Sequence, residues 1–143
     1  MTADTTRPDT TGRLAQRQTG KVVLLAAGAL SLPMLPARAE VVDIVWQADG
    51  RFDRTFTIAA DKFAELCGAF NPGQAVDWSF DADGALNFNI HYHAGKDVRY
   101  PKRLNQTYRS RGKLAVKSPQ DYCWMWTNKS ATAAQLAVRL ELK

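Results

Sequence analysis

The residues best equipped for chemistry lie in the run from Leu86 to His93, which holds both histidines of the chain. Read as a strand, whose side chains alternate between two faces, it sends Leu86, Phe88, Ile90 and Tyr92 one way and Asn87, Asn89, His91 and His93 the other. One face is core and the other is a polar row. The two imidazoles would start about 7 Å apart, from a rise of about 3.3 Å per residue, so both can approach one ion or one partner. As a recognition surface, the row offers four hydrogen-bonding side chains at regular intervals. Unperturbed imidazoles titrate near pH 6.5, which would tighten the hold on an anion in mildly acidic surroundings. The alternative is a Cu(II) or Zn(II) site built on His91 and His93, with Met125, Asp77 or Asp81 supplying a further ligand. No Cys-His-Met array of the blue-copper kind is present.

A basic stretch follows directly. Lys96, Arg99, Lys102, Arg103, Arg109, Arg111, Lys113 and Lys117 share their segment with one acid, Asp97. It is expected as a long polar connection from Pro101 to Lys113, which steers an anionic partner onto the histidine face. The predicted binding set is therefore Asn87, Asn89, His91, His93, Arg99, Lys102 and Arg103. Tyr100 and Tyr108 give the stretch the composition of a nucleic-acid patch, but export argues against that partner and favours an unidentified protein or another anionic ligand.

Export is read from the beginning of the chain. Arg13, Arg17 and Lys21 precede an apolar run from Val22 to Leu35, and Ala37-Arg38-Ala39 matches an A-x-A cleavage pattern. Residues 1–39 are thus expected as a signal peptide and residues 40–143 as one periplasmic or secreted domain. Pro33 interrupts the apolar run, which is shorter than the roughly 20 residues of a bilayer span. The formal net charge of +5 falls to +2 once the leader's five basic and two acidic residues are removed. Cys67 and Cys123 both remain after cleavage, and in an oxidising compartment such a pair tends to form a disulfide; two buried thiols are the alternative.

The elements that must position these residues read almost entirely as strands. Val42, Ile44 and Trp46 alternate, Asp49-Gly50 supplies a turn, and Phe56 and Ile58 resume the alternation as a first hairpin. Phe63, Leu66, Cys67 and Phe70 have helical spacing, which predicts two turns of helix over 61–70. After the Asn71-Pro72-Gly73-Gln74 turn, Val76, Trp78, Phe80 and Ala82 line one face of a strand and Asp77, Ser79 and Asp81 the other. Asp83-Gly84 is expected to turn the chain into the histidine strand, making a central hairpin. Leu114 and Val116 suggest another strand. In the strand from Tyr122 to Thr127, Tyr122, Trp124 and Trp126 oppose Cys123, Met125 and Thr127, and periodicity leaves open which side is inward. The tryptophans are read as core, with a ligand-stacking platform as the alternative. Leu136, Val138, Leu140 and Leu142 close the domain. Seven or eight short strands in about 100 residues predict an all-β, antiparallel β-sandwich.

Cys67, the Val-x-Trp-x-Phe strand, Phe88-x-Ile90 and Tyr122-Cys123-Trp124-x-Trp126-x-Asn128 before an alternating last strand together resemble the GOLD domain, the lumenal β-sandwich of secretory cargo receptors. The resemblance implies a Cys67–Cys123 disulfide and a non-enzymatic module that binds other molecules. It lacks the receptors' coiled-coil and transmembrane segments, and its tyrosine directly precedes Cys123. No G-x-S-x-G elbow, glycine-rich phosphate loop or H-E-x-x-H motif occurs, so an enzyme is not expected, and no cofactor beyond the alternative copper or zinc. Asn105-Gln106-Thr107 and Asn128-Lys129-Ser130 match glycosylation acceptors.

Overall fold

Period-two alternation of apolar and polar residues governs most of the strands, though not the basic one, in residues 39–143, the part of the chain that the computed structural model describes. The leader expected over 1–39 falls outside it, apart from Ala39. Seven strands result: β1 (Glu40–Asp43), β2 (Arg51–Ile58), β3 (Phe63–Phe70), β4 (Ala75–Ala94), β5 (Asp97–Ala115), β6 (Gln120–Thr127) and β7 (Ala134–Leu142). No helix occurs among the described residues, so none there is long and apolar enough to cross a membrane.

The long strand β4 organises the fold. One of its edges pairs with β7 from Val76 to Ala82 and then with β6 from Asn87 to His91, while the other edge pairs with β5. Strand β2 extends β7, and β3 then β1 extend β6. The sheet curls on itself as two facing layers. One contains β1, β3, β6 and the second half of β4; the other contains β2, β7 and the first half of β4. Each half of β4 is flanked by the part of β5 that registers with it. Pairing is antiparallel except between β1 and β3, which run parallel, so the expected all-antiparallel sandwich is a mixed one.

Four local expectations are corrected. Asp83-Gly84 does not make a hairpin: β4 runs through it, and the apolar phase of Phe80 and Ala82 continues unbroken into Leu86 and Phe88. Only the ladder is irregular there, with a register shift between Asp81 and Leu86. The glycine serves close packing, since a Cβ at Gly84 would lie 3.1 Å from the Ala134 Cβ. Residues 61–70 form strand rather than helix, because Ala64, Leu66 and Phe70 point inward at period two. The helical spacing arose from counting Phe63 and Cys67, which belong to the opposite face. The first hairpin is also absent: β1 pairs with β3 and β2 with β7, on opposite ends of the strand order. This places Val42, Ile44 and Trp46 against the core from one layer and Phe52, Phe56 and Ile58 from the other. Finally, the basic stretch is not a loop but strand β5, paired with β4 along most of its length. Pro101 is accommodated where β5 carries an extra residue between its Ile90 and Tyr92 partners, so that its missing N–H interrupts no ladder bond.

The tryptophans belong to the interior. Trp124 and Trp126 are fully buried and Trp78 nearly so, and Trp46 packs edge-on against Phe70 at 6.1 Å. Phe80 from one layer meets Phe88 at 4.9 Å and Trp126 at 5.7 Å from the other, which joins the layers through aromatic contacts. The indole N–H groups of Trp78, Trp124 and Trp126 have no acceptor among the described residues, a cost consistent with a packing role rather than ligand stacking. Gly112 lies directly against this cluster. A Cβ there would come within 2.6 Å of the Trp78 ring, so Gly112→Ala should destabilise the protein by roughly 1–3 kcal/mol through overpacking. Chemical denaturation measures this, and an unchanged midpoint would show that the indole can move aside.

The loop between β6 and β7 is built around Asn128, which is fully buried. Its Nδ2 donates to the carbonyls of Ile58 at 2.9 Å and Thr132 at 2.7 Å, and its Oδ1 accepts from the Ser130 N–H and hydroxyl. A buried amide nitrogen so engaged is no glycosylation acceptor in the folded protein.

Candidate functional site

The strand registers turn the outer face of the first layer into a grid. Glu65, Met125, Asn89 and Arg103 form one row across β3, β6, β4 and β5. Cys67, Cys123 and His91 form the next. Ala69, Asp121, His93 and Val98 continue the same face. Opposite it, Leu86, Phe88 and Ile90 are fully buried, so the two-faced reading of this strand holds. Tyr122, Trp124 and Trp126 turn inward, which leaves Cys123 and Met125 on the outer side.

His91 corrects part of that reading, since it is 8% exposed and not a free surface group. It remains outside the apolar interior, covered by neighbours on its own face. Its Nδ1 lies 2.9 Å from Asn89 Oδ1 and its Nε2 lies 3.2 Å from Glu65 Oε1. The Glu65 contact crosses β6 diagonally, over the pair formed by Cys123 and Met125. Such a part-buried acid–imidazole contact fixes the ring. The His93 ring meets His91 edge-to-face at 5.7 Å, and the Tyr100 ring lies 6.0 Å from that of His91. Arg103 then stacks its guanidinium 3.4 Å from the centre of the Tyr100 ring, a favourable cation–π distance. Asn87 is used locally, its Oδ1 accepting the Gln106 backbone N–H at 3.1 Å. Gln106 holds a φ of 51° where β5 carries its other extra residue.

The polar row is thus a supporting layer rather than a set of open groups. Asn87, Asn89 and His91 are committed to neighbours, and the outward-facing members of the cluster are His93, Tyr100 and Arg103, all exposed. Beside His93 runs a groove of about 580 Å³ floored by the Cys67–Cys123 disulfide and flanked by Asp43, Gln120 and Asp121. Ridge and groove together give the face relief. Arg99 and Lys102 depart from the expected set: they register with Tyr92 and Ile90, on the opposite phase of β5. Arg99 instead pairs with Asp97 at 3.0 Å and lines a cleft with Tyr92, Leu114 and Lys117.

Glu65 is the residue that sequence reasoning missed. A period-two reading of 63–70 would have placed it on the outer face with Cys67. Among the described residues, Glu65, His91 and Cys123 are the cluster whose ligand atoms come close enough to share one ion. Cys123 is spent in the disulfide, however, and both His91 nitrogens already face oxygens. His93 shares this face but does not belong to that cluster.

The chain matches no family model and no curated protein. Solved structures do share its architecture. PliG of Aeromonas hydrophila, a periplasmic inhibitor of g-type lysozyme, aligns with a TM-score of 0.60 at 10% identity, covering 74% of this chain and 98% of its own. PliG of Salmonella Typhimurium, also a periplasmic inhibitor of g-type lysozyme, aligns at 0.56 and 12% identity, covering 73% and 99%. The pre-peptidase C-terminal domain of a Bacillus anthracis collagenase aligns at 0.51 and 9%, covering 73% and 96%. At such identities the likeness is one of fold: a small β-sandwich of about the size of these domains.

Proposed function

We propose that the chain is an exported, non-enzymatic protein-binding module that docks through the outer face of β4 and β5, with His93, Tyr100 and Arg103 as its contact residues. The observation that carries this reading is the Arg103–Tyr100 stack standing beside the paired histidines. Arg and Tyr are the side chains most often found at the energetic centres of interfaces, and an arginine already braced on a ring loses less freedom on binding. The part-buried Glu65–His91–Asn89 contacts beneath keep the cluster in place before a partner arrives. The GOLD resemblance supports the same class, a sandwich that works by contact rather than catalysis.

The partner is an acidic protein surface. Similarity of fold to the PliG inhibitors makes a lysozyme-type glycosidase the first candidate, and the chemistry is compatible: glycosidase clefts present paired carboxylates, which a cationic ridge complements. The test titrates the protein into a g-type lysozyme during cell-wall lysis. The expected result is saturable inhibition, with Arg103→Glu requiring at least about tenfold more protein, the loss expected from reversing one well-placed charge. Unaltered lysis at a large molar excess would remove lysozyme as the partner.

A further inference from the structure

The second layer carries a groove of its own. On the outer face of β2, β7, β4 and β5, one row reads Asp53, Arg139, Ser79, Arg111 and the next reads Thr55, Ala137, Asp81, Arg109. Ser79 and Ala137 are short, so the centre is low and a concavity of about 650 Å³ opens between the longer side chains. Arg111 and Arg139 stand on either side of Ser79, two strand spacings or about 9.5 Å apart at their bases. Arg111 is long enough to reach above the serine hydroxyl, and Arg139, held by its Nε on Asp53, borders the same groove.

The charges around this floor do not cancel. Arg139 pairs with Asp53 at 2.8 Å, Arg109 with Asp81 at 3.6 Å and Lys113 with Asp77 at 3.3 Å. Arg111, exposed between them, has no carboxylate within ion-pair distance among the described residues. Three guanidinium groups thus line the groove against two carboxylates, Asp53 and Asp81. Asp53 also raises the pKa of Arg139 by its hydrogen bond and its charge, which holds that group firmly cationic.

We propose that this groove binds a single carboxylate, that of an acidic side chain on a peptide segment, held between Arg111 and Arg139 above the Ser79 hydroxyl. The planar guanidinium fork of Arg111 matches a carboxylate, and the hydroxyl supplies a further donor. One surplus positive charge suits one carboxylate. A phosphate dianion would bring excess negative charge beside Asp53 and Asp81. The groove lies on the layer opposite the histidine face, so it operates independently of that face.

The test follows backbone amide resonances of the protein while acetyl-Gly-Gly-Glu-Gly-Gly-amide is added. Parallel titrations use the same peptide with glutamine, and with phosphoserine, in place of glutamate. The glutamate peptide should give saturable shifts centred on Ser79, Arg111 and Ala137. The glutamine peptide should give none, the phosphoserine peptide should bind more weakly, and Arg111→Gln should weaken the glutamate peptide by about tenfold. Arg111 is exposed, so the spectrum of the variant outside the groove should be unchanged. Absence of saturable shifts, equal binding of the glutamine peptide, or indifference to Arg111→Gln would overturn the site. Tighter binding of phosphoserine would overturn its assignment to a single carboxylate.

Discussion

Replacing Cys67 with serine is expected to cost the protein about 4 kcal/mol of folding stability. The bond joins directly opposed positions of β3 and β6 and closes a loop of 56 residues. In the loop-entropy account, removing such a cross-link releases about that much freedom in the unfolded chain. For a domain of this size, whose total stability is of the order of 5–15 kcal/mol, the loss is a large fraction. Urea unfolding of wild type and variant under non-reducing conditions measures it, and reduction of the wild type should reproduce it. A difference under 1 kcal/mol would mean that the unfolded chain is already compact around these strands. The same substitution should loosen the floor of the groove beside His93, because Cys123 is the cross-strand neighbour of His91.

Phe88→Ala is expected to cost roughly 3–5 kcal/mol. The ring lies at the meeting of the layers, 5.0 Å from Trp78, 4.9 Å from Phe80 and 5.3 Å from Trp126. Flanking aromatics this large cannot collapse into the space it leaves. Three residues on, His91→Ala should cost only about 1–2 kcal/mol, since Glu65 keeps some access to water once its partner is gone. Thermal and denaturant unfolding of the two variants provide the comparison. Equal losses would mean that the outer face carries as much of the fold as the interior does.

The two-faced character of Leu86–His93 was legible in the sequence because β4 has one apolar phase from end to end. What hid its length was local turn chemistry. Asp83-Gly84 is a strong turn signal, but in the fold Gly84 packs against Ala134 and the Asp83 carboxylate accepts the Gln135 backbone N–H at 2.7 Å, contacts with β7 that sequence does not show. β5 was illegible for a different reason. It is an edge strand whose few apolar residues are scattered among cations, so its order comes from pairing with β4 and not from burial of one face. The disulfide was legible from two cysteines in a chain with an export signature. The strand faces were legible in part: His91 and His93 lie on the face opposite the core as expected, whereas Arg99 and Lys102 were grouped with them because the segment read as a connection, in which neighbours such as Lys102 and Arg103 need not alternate between faces. Glu65 could not be joined to His91 from sequence, since their contact depends on the order β3-β6-β4.

Site-specific photo-crosslinking tests the central claim, that this outer face binds another protein, most directly. A photoreactive amino acid is placed at Tyr100 or Arg103 in the full chain, with Tyr108 as the control. That residue is exposed on the same strand, several positions along from the cluster. Illumination in the native compartment should yield one discrete protein adduct from positions 100 and 103 and none from position 108. Adducts equally abundant from all three positions, or from position 108 alone, would contradict the account.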